Sequence, residues 1–496
     1  MNPTTRISFP RISGRGLLPW LLVVMAAPAS AARPNVLFIA VDDLRPQLGC
    51  YGESWIQSPN LDRLAQSGLR FDRAYCQQAI CMSSRASLLS GYRPDHGRIY
   101  NNGPLFEHVP DALTLNQHFL NHGYETVSLG KIYHHGGDKK QGWSRPAWQP
   151  EGDWSGRGYL AEASRREVAR YEKQNPGAKR QGMGPAFEAP EVDDEAYADG
   201  KIATRAIGEL RRLAKGGDDG GTPFFLAVGF MKPHLPFNAP RRYWDLYDPR
   251  KIPLAPQRST PKGAPKPART GWGELRGYQG MPRSGAMPAD SERELIHGYA
   301  ACVSYVDAMI GRVLDELEKL GLEDDTIVVL WGDHGFKLGD LGMWCKHTNF
   351  ERDTRVPLIV RAPGMKARGK STPALTELVD LYPTLCELAG LELPGHLEGT
   401  SFAPLLDDPS REWKSAAFSQ YPRGSVMGYT MRTRDHRYTE WRKLKGGEVV
   451  ARELYDHRAD PEEADNLAGD PKSGARLKEF AARLRAGPQA ARPPWR

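Results

Sequence analysis

The stretch Asn35-Val-Leu-Phe-Ile-Ala-Val41 decides the fold, and two acids, Asp42 and Asp43, follow it directly. A short apolar run of this kind predicts a strand that is buried on both faces, as in a parallel sheet. The two carboxylates would then lie at the carboxyl end of that strand, where open α/β sheets bind their ligands. We therefore expect a functional site at this edge of the sheet.

Similar strands alternate with helical segments along the chain. The sequence predicts strands at 124–129, 224–230 and 326–330, and helices at 59–68, 84–90, 113–122, 196–213 and 292–320. Strands that alternate with helices indicate an α/β fold built on a central sheet. Two stretches, 136–190 and 249–290, resist this pattern, and we expect long loops there that border the substrate.

Polar side chains follow the other predicted strands as well. They are Lys131 and His134 after 124–129, His234 after 224–230, and Asp333 with His334 after 326–330. Because parallel strands bring their carboxyl ends to one edge, we expect these groups to converge with Asp42 and Asp43. Several carboxylates suit Ca²⁺, whereas the histidine is also compatible with Zn²⁺ or Mn²⁺.

The two ends of the chain differ from this central part. Arg6, Arg11 and Arg15 precede an apolar run at 17–27 and an Ala-Ser-Ala cleavage site at 29–31, which is typical of a secretory signal peptide. At the other end, residues 426–441 predict a hairpin and 477–484 a closing helix. We therefore expect a signal peptide at 1–32, a catalytic domain at 33–405 and a smaller α+β subdomain at 406–496.

Charge and cysteine content narrow the class of protein. The formal net charge is +7, and the predicted leader supplies three of the positive charges. So small an excess gives no reason to expect a nucleic-acid partner. The leader run is too short to span a bilayer, and no later segment is apolar enough, so we expect an exported, periplasmic or secreted protein without a membrane span. The six cysteines lack framework spacing, which favours buried free thiols with one bridge at most.

The most specific motif is Cys81-Met-Ser-Ser-Arg-Ala-Ser-Leu-Leu-Ser-Gly91. It resembles the signature of the type I sulfatases, Cys-x-Pro/Ala-Ser-Arg followed by x-x-x-Leu-Ser/Thr-Gly, with Ser83 where the family has Pro or Ala. The clusters above, Trp344-Cys-Lys346 and the segments 379–385 and 427–441 also resemble this family, in the same order. The resemblance runs from residue 34 to about 467, and His334 favours the iduronate-type branch.

This resemblance implies an alkaline-phosphatase-like mixed sheet flanked by helices. In the family, a maturation enzyme oxidises the signature cysteine to formylglycine, and the hydrated aldehyde is the nucleophile that attacks sulfur. Cys81 would be that residue. One Ca²⁺ per site is implied, and its ligands would be Asp42, Asp43, Asp333, His334 and the modified Cys81.

The same resemblance implies roles for the remaining candidates. Arg85 would orient the hydrate, and Lys131 and Lys346 would bind sulfate oxygens. His134 would hydrogen-bond the hydrate and later remove its second proton, and His234 would protonate the leaving oxygen.

The iduronate-type resemblance also implies a substrate: the 2-O-sulfate of a uronic acid or related sugar in a sulfated oligo- or polysaccharide, of glycosaminoglycan or algal type. A uronate carboxylate requires a cation beyond the catalytic set, and the candidates from the C-terminal hairpin are Arg432, Arg434 and Arg437, with Trp441 beside them. Alternatives are a sulfatase for another glycan position, a phosphodiesterase or phosphonate hydrolase of the same superfamily, and a non-catalytic protein that binds sulfated glycans.

Overall fold

The computed structural model describes residues 33–134, 141–152, 158–177, 184–216 and 221–495, together with residues 1 and 8. The chain divides into residues 1–33 and residues 34–496, and the second unit carries the regular elements described here. Apart from residues 1 and 8, the predicted signal peptide lies outside the described residues. Among the described helices, none has the length and apolar content that crossing a membrane requires.

The strands follow one another through the whole second unit. In chain order they are β1 (Asn35–Val41), β2 (Leu69–Tyr75), β3 (Glu125–Gly130), β4 (Phe187–Glu188), β5 (Phe224–Phe230), β6 (Phe237–Asn238), β7 (Thr326–Gly332), β8 (Lys337–Leu338), β9 (Trp344–Cys345), β10 (Arg355–Val356), β11 (Leu358–Arg361), β12 (Lys370–Glu377), β13 (Ala417–Arg423), β14 (Val426–Arg432), β15 (His436–Lys443) and β16 (Val449–Asp456).

The helices lie between these strands. They are α1 (Pro59–Ser67), α2 (Cys81–Ser90), α3 (Pro94–Gly97), α4 (Leu105–His108), α5 (Leu115–Asn121), α6 (Glu162–Gln174), α7 (Ala198–Leu213), α8 (Arg241–Trp244), α9 (Gly273–Arg276), α10 (Ala289–Lys319), α11 (Glu351–Thr354), α12 (Leu381–Leu388) and α13 (Gly474–Ala486).

The central sheet is mixed, as predicted. Its strand order is β10-β2-β11-β7-β1-β5-β3, with β12 paired to β2. The pairs β7–β1, β1–β5 and β5–β3 are parallel, whereas β11 is antiparallel to both β7 and β2. Strand β2 therefore runs in the same direction as the parallel group, and so does β12, which pairs parallel to β2, so that six strands end at the same edge.

Strand β1 is buried on both faces, which explains its continuous apolar sequence. Leu37, Ile39 and Val41 pack on one side with residues of α1, α7 and α10. The alternate residues Val36 and Phe38 pack on the other side with residues of α2, α5 and α12. The sheet is thus the middle layer between two sets of helices.

The predicted elements of the central domain are present, with ends that shift by a few residues. The helix predicted at 84–90 begins earlier, at Cys81, and the one predicted at 292–320 spans Ala289–Lys319. The prediction of a long loop at 136–190 was wrong in part, because Glu162–Gln174 forms α6. This helix is almost entirely polar and buries only Ser164, so it lacks the apolar periodicity by which a helix is recognised.

The C-terminal sheet is antiparallel and has the order β13-β14-β15-β16. Helix α13 packs on it, with Phe480 and Leu484 against Met431 and Tyr438. The predicted hairpin and closing helix are therefore present. The domain boundary at 405/406 stays a prediction. All six cysteines are free.

Candidate active site

Five strands deliver their following residues to one edge of the sheet. Asp42 and Asp43 follow β1, Asp333 and His334 follow β7, Lys131 follows β3, His234 lies four residues beyond β5, and Cys81 opens the helix after β2. The structure thus brings together most of the predicted site residues. We call the residues that meet at this edge the strand-end cluster. Within it, metal-ligating atoms of Asp42, Asp43, Cys81 and His234, and of Cys81, Asp333 and His334, lie within 4.8 Å of one another.

Cys81 lies at the centre of this cluster and is only 3% exposed. Its Sγ is 3.2 Å from His334 Nε2 and 4.0 Å from Asp43 Oδ1. Burial, and next the charge of Asp42, raise the pKa of the thiol well above its usual value. An unmodified Cys81 is therefore a neutral thiol, which is a poor nucleophile because the thiolate is the reactive form.

Arg85 forms ion pairs with two carboxylates of the cluster. Its Nη2 donates to Asp42 Oδ1 at 3.0 Å and its Nε to Asp333 Oδ2 at 2.9 Å, while Nη1 donates to the Lys131 carbonyl at 2.6 Å. Lys131 Nζ lies 2.5 Å from Asp42 Oδ2. Burial would raise the pKa of Asp42, but Lys131 and Arg85 hold it well below its usual value. In this structure Arg85 thus orients two acids of the cluster.

A pair of glycines lets Lys131 reach the cluster. Gly130 and Gly229 are register partners at the ends of β3 and β5, and Gly130 has a φ of +68°. A Cβ on Gly130 would lie 2.2 Å from the Gly229 carbonyl oxygen, and one on Gly229 would lie 2.0 Å from the Lys131 carbonyl oxygen. Since real Cβ atoms do not approach backbone this closely, only glycine fits at either position.

Lys346 joins the strand-end cluster through its contact with Asp43. Asp43 has a φ of +60°, and its N–H donates to Asp333 Oδ1 at 3.0 Å. Its carbonyl accepts from the Tyr299 hydroxyl at 2.9 Å, which fixes this unusual backbone conformation. Lys346 Nζ lies 2.8 Å from Asp43 Oδ2. Burial raises the pKa of Asp43 to about 7, although Lys346 and His334 act in the opposite direction.

Glu274 is a site residue that sequence reasoning missed. It lies on α9, inside the stretch predicted to be a long loop, and its carboxylate is 3.1 Å from Lys346 Nζ and 3.3 Å from His234 Nε2. Burial alone would raise its pKa, but Lys346 and His234 hold the pKa well below the usual value. The only available signal was the prediction that this loop borders the substrate.

The two histidines present the same nitrogen to the cluster. Nδ1 of His234 lies 2.6 Å from the Leu235 carbonyl, and Nδ1 of His334 lies 2.9 Å from the Gly335 carbonyl. A carbonyl only accepts, so each Nδ1 carries the proton and each Nε2 is left to face the carboxylates. Burial, followed by Lys346, lowers the pKa of His234 well below its usual value. His134 is half-buried on the loop that follows Lys131.

The donor set fits a divalent cation. Asp43 Oδ1 lies 3.4 Å from His334 Nε2, and Asp333 Oδ2 lies 3.7 Å from the same nitrogen. Three fully buried carboxylates with an accepting imidazole nitrogen are ligands of the kind that divalent metals take.

Ser83, the departure from the family signature, is accommodated by the fold. Its side chain is fully buried, and its hydroxyl accepts from Gln78 Nε2 at 3.1 Å and lies 3.4 Å from the Asn101 carbonyl. A buried hydroxyl that has hydrogen-bond partners costs little. The serine is therefore compatible with the native packing of α2.

The candidate substrate residues of the hairpin are not brought to the strand-end cluster. Arg432 and Arg437 are buried, and both donate to Glu351. Trp441 is fully buried and donates to Glu453 at 2.8 Å. Only Arg434, 80% exposed, remains accessible to a ligand. Alternation along a strand predicts two faces, but it does not reveal that the polar face is covered, and this is why the prediction misplaced these side chains.

Comparison with known proteins agrees with the geometry. The sulfatase family model matches residues 34–391, and the model for the C-terminal region of N-sulphoglucosamine sulphohydrolase matches residues 339–489. Human iduronate 2-sulfatase is 32% identical, over 94% of this chain and 98% of that protein.

Two solved structures share the fold at 25% identity and a TM-score of 0.72. One is a complex with its substrate D-glucosamine-2-N,6-O-disulfate and covers 92% of this chain and 97% of its own. The other is the phosphonate monoester hydrolase of Agrobacterium radiobacter, with 92% and 95% coverage. The matched family model spans most of the chain and includes every residue of the strand-end cluster. The chain belongs to the sulfatase family and is a sulfuric ester hydrolase with an alkaline-phosphatase-like fold.

Proposed function

We propose that this sulfatase removes the 2-O-sulfate of a uronic acid, or of a related sugar, in a sulfated polysaccharide, with residue 81 as formylglycine. The observation that carries this proposal is the likeness to iduronate 2-sulfatase, which extends over nearly the whole of both chains. The proposal therefore rests on a relative that is named for action on an iduronate sulfate, and it is supported by the convergence of Cys81, His234 and three buried carboxylates at one edge of the sheet.

The residues of the cluster have complementary roles in this reaction. Lys131 pairs with Asp42 and Lys346 pairs with Asp43, and both ammonium groups would bind the sulfuryl oxygens. His234 is the proposed general acid: because Nδ1 already donates to the Leu235 carbonyl, the ring would have to bind a second proton, at Nε2, and pass it to the leaving sugar oxygen, and the carboxylate of Glu274, 3.3 Å from Nε2, favours that protonated form. Arg85 keeps Asp42 and Asp333 in place. His134 remains the proposed base for the second half of the reaction.

Two groups would add chemistry that these side chains lack. A divalent cation, in this family Ca²⁺, would be held by Asp42, Asp43, Asp333, His334 and residue 81, and would supply positive charge beside the sulfate. Formylglycine at position 81 would supply a hydrated aldehyde as nucleophile in place of the neutral thiol.

The mass of the peptide that contains residue 81 tests the nucleophile. Conversion replaces sulfur by oxygen and removes two hydrogens, so the peptide becomes lighter, and an unshifted thiol in active enzyme would refute the assignment. The cation is tested by dialysis against a chelator followed by addition of Ca²⁺, Mn²⁺ or Zn²⁺. We expect activity to be lost and to return best with Ca²⁺.

Recognition of a uronate carboxylate requires a further cation, and the placement of Arg423 supports this role. Its Nη2 donates at 2.5 Å to the carbonyl of His347, the neighbour of Lys346, and its guanidinium lies 4.9 Å from the centre of the Tyr421 ring. Burial lowers the pKa of Arg423, and within the described residues no carboxylate forms an ion pair with it. A largely buried cation beside the site is suited to a substrate anion.

A desulfation panel tests the substrate. We expect activity on 2-O-sulfated uronic acid and little on 3-O-, 4-O- or 6-O-sulfated saccharides; activity only on 6-O-sulfated hexosamine would contradict the proposal. Carboxyl-reduced substrate isolates Arg423: Arg423→Gln should lower kcat/KM for the uronate about tenfold but not for the reduced sugar. Arg411→Gln, which removes another ring-stacked arginine, is the matched control.

Phosphonate monoester hydrolysis is the second candidate, because a hydrolase of that class shares the fold with a TM-score of 0.72. A phenyl phosphonate monoester assayed beside the sulfated sugars separates the two activities. We expect a higher kcat/KM for the sulfate ester, and a preference for the phosphonate would reverse the assignment.

Export is also proposed, on the basis of the arginines and the apolar run at 17–27. N-terminal sequencing of the enzyme recovered from the periplasm or medium should begin near residue 32. Recovery of unprocessed chain from the cytoplasm alone would contradict it.

A further inference from the structure

A surface cleft of about 420 Å³ lies where β2 and β10 of the central sheet meet the loops of the C-terminal sheet. Its wall is unusually rich in one residue type. We call it the arginine cleft, after the residues Arg73, Arg352, Arg355, Arg432, Arg434 and Arg458 that line it. The strand-end cluster contributes none of its lining residues.

The acids of this cleft are largely engaged by other cations. Glu351 accepts from Arg432 at 3.0 Å and also from Arg437, which lies outside the cleft lining. Both oxygens of Glu462 lie 2.8 Å from Nη2 of Arg352. These two carboxylates are therefore already neutralised by arginines. The remaining arginines give the cleft a net positive charge.

Two arginines of the wall have no ionic partner among the described residues. Arg73 Nη1 donates to the Arg434 carbonyl at 3.1 Å, and Arg355 Nε donates to the Asp72 carbonyl at 2.7 Å. Both side chains are half-buried. Each hydrogen bond uses one N–H of a guanidinium that has five, so donors remain available for an anion.

Two further arginines stand at the mouth of the cleft. The side chains of Arg434 and Arg458 are 80% and 67% exposed, and they share Asp435 at 3.4 Å and 4.0 Å. Ion pairs as exposed and as long as these are weak, so an incoming anion can replace them. The planar fork of arginine is well matched to the oxygens of a sulfate group, which it can bind in a bidentate manner.

We propose that the arginine cleft is a second glycan-binding site, which holds a sulfate-bearing segment of the polysaccharide away from the strand-end cluster. The volume is sufficient for a sulfated saccharide unit. This inference rests on the sulfatase function of the chain, but it is independent of the 2-O position and of the uronate. A sulfatase that also binds its polysaccharide at a second site would remain bound to one polysaccharide molecule through successive desulfation reactions.

The test is a binding measurement on the full-length enzyme with a fully sulfated heparin octasaccharide, by calorimetry at two salt concentrations. The cleft variant is Arg434→Glu with Arg458→Glu. The matched control is Arg63→Glu with Arg368→Glu, which changes the net charge equally at side chains that are 47% and 43% exposed and likewise ion-paired. Thermal unfolding of both variants verifies that they are folded, and the Gln versions replace any that are not.

We expect the cleft variant to weaken binding by about tenfold or more, which corresponds to about 1.4 kcal/mol, and its affinity to depend less on salt. The control should stay within about twofold of the parent. Equal losses in the two variants, or no loss in the cleft variant, would overturn the proposal. Inorganic sulfate is the second probe: if it binds the cleft as tightly as the octasaccharide does, the site is one for small anions and not for a glycan.

The outcome is separable from that of the proposed function. If the desulfation panel identifies another sulfate position while the cleft variant still loses octasaccharide affinity, only the 2-O assignment fails. If the panel succeeds and the two double variants bind alike, only the second site fails.

Discussion

Two clusters of buried charge in this molecule are built from the same types of side chain, but they differ in what those side chains do. In the strand-end cluster, Asp43 faces Lys346, but it also faces His334 and Cys81. In the second, which we call the hairpin cluster, Glu351 bridges Arg432 and Arg437, and Glu463 takes Arg437 and His457.

The two clusters differ in whether their charged groups are paired within the protein or remain able to bind a ligand. Arg432 and Arg437 are direct cross-strand partners on β14 and β15, so the two like charges need Glu351 between them. Both arginines are paired with carboxylates of the protein itself, and the consequence is stability. The strand-end cluster keeps ligand atoms directed at a shared space, and its consequence is chemistry. Substitutions should therefore separate activity from folding in opposite ways in the two clusters.

The largest effect is expected at Cys81. Cys81→Ala leaves no thiol from which the proposed formylglycine could form, and kcat/KM for a sulfated sugar should fall at least about 1,000-fold. Steady-state kinetics and thermal unfolding of the same preparation measure it. The control is Cys386→Ala, another fully buried free cysteine, which should lose stability but keep its activity. Comparable activity losses in both variants would remove the distinction between the clusters.

The next effect is expected in the hairpin cluster. Glu351→Gln leaves two buried arginines without their shared carboxylate and should reduce the free energy of unfolding by about 3 kcal/mol. Urea unfolding measures the loss, and kcat of the folded fraction should stay unchanged. Glu462→Gln, whose side chain is 30% exposed, should cost about 1 kcal/mol or less. Equal losses at both positions would mean that burial of the pair does not matter.

A smaller effect is expected at Glu274, on the rim of the strand-end cluster. Glu274→Gln removes the carboxylate shared by Lys346 and His234 and should lower kcat/KM about tenfold without a loss of stability. Glu292→Gln is the control, since Glu292 pairs with Arg258 outside the cluster. An unchanged kcat/KM in the Glu274 variant would exclude Glu274 from the active site.

The smallest effect concerns pH and the hairpin sheet. Burial raises the pKa of Glu453 to about 7, so the native state favours the protonated acid, and this contribution to stability is lost as pH rises from about 4 to 7. Glu453→Gln should remove that loss, so the free energy of unfolding of the variant relative to the parent should rise steadily between pH 5 and pH 8. Urea unfolding at both pH values measures it; a parallel pH dependence in parent and variant would contradict it.

The sequence was most informative where burial is complete. Strand β5 is apolar from end to end because both faces are covered, and its predicted bounds agree with the structure. Strand β2 was missed because Arg70, Asp72 and Arg73 are only partly buried near the border of the sheet, so neither an apolar run nor a clean alternation is visible. Helix α6 was missed for the related reason that it buries almost nothing.

The site was predictable to the extent that strand ends define it. Asp42, Lys131 and Asp333 follow strands, and the direction of those strands determines where they meet. Glu274 arrives from a segment without periodicity, so only tertiary contacts could identify it. Arg423 was also missed, because its position on β13 does not indicate that its guanidinium reaches the carbonyl next to Lys346.

The glycine pair at the ends of β3 and β5 has a consequence for protein engineering. In a saturation library that spans Gly130 and Gly229, selection for desulfation should return glycine at both positions, even though glycine has no side chain with which to contact a substrate. Alanine at 229 would push against the carbonyl of Lys131 and displace the ammonium group that we propose to bind the sulfate. We therefore expect activity to depend on the absence of a side chain at these two positions as strictly as it depends on the side chains of the strand-end cluster.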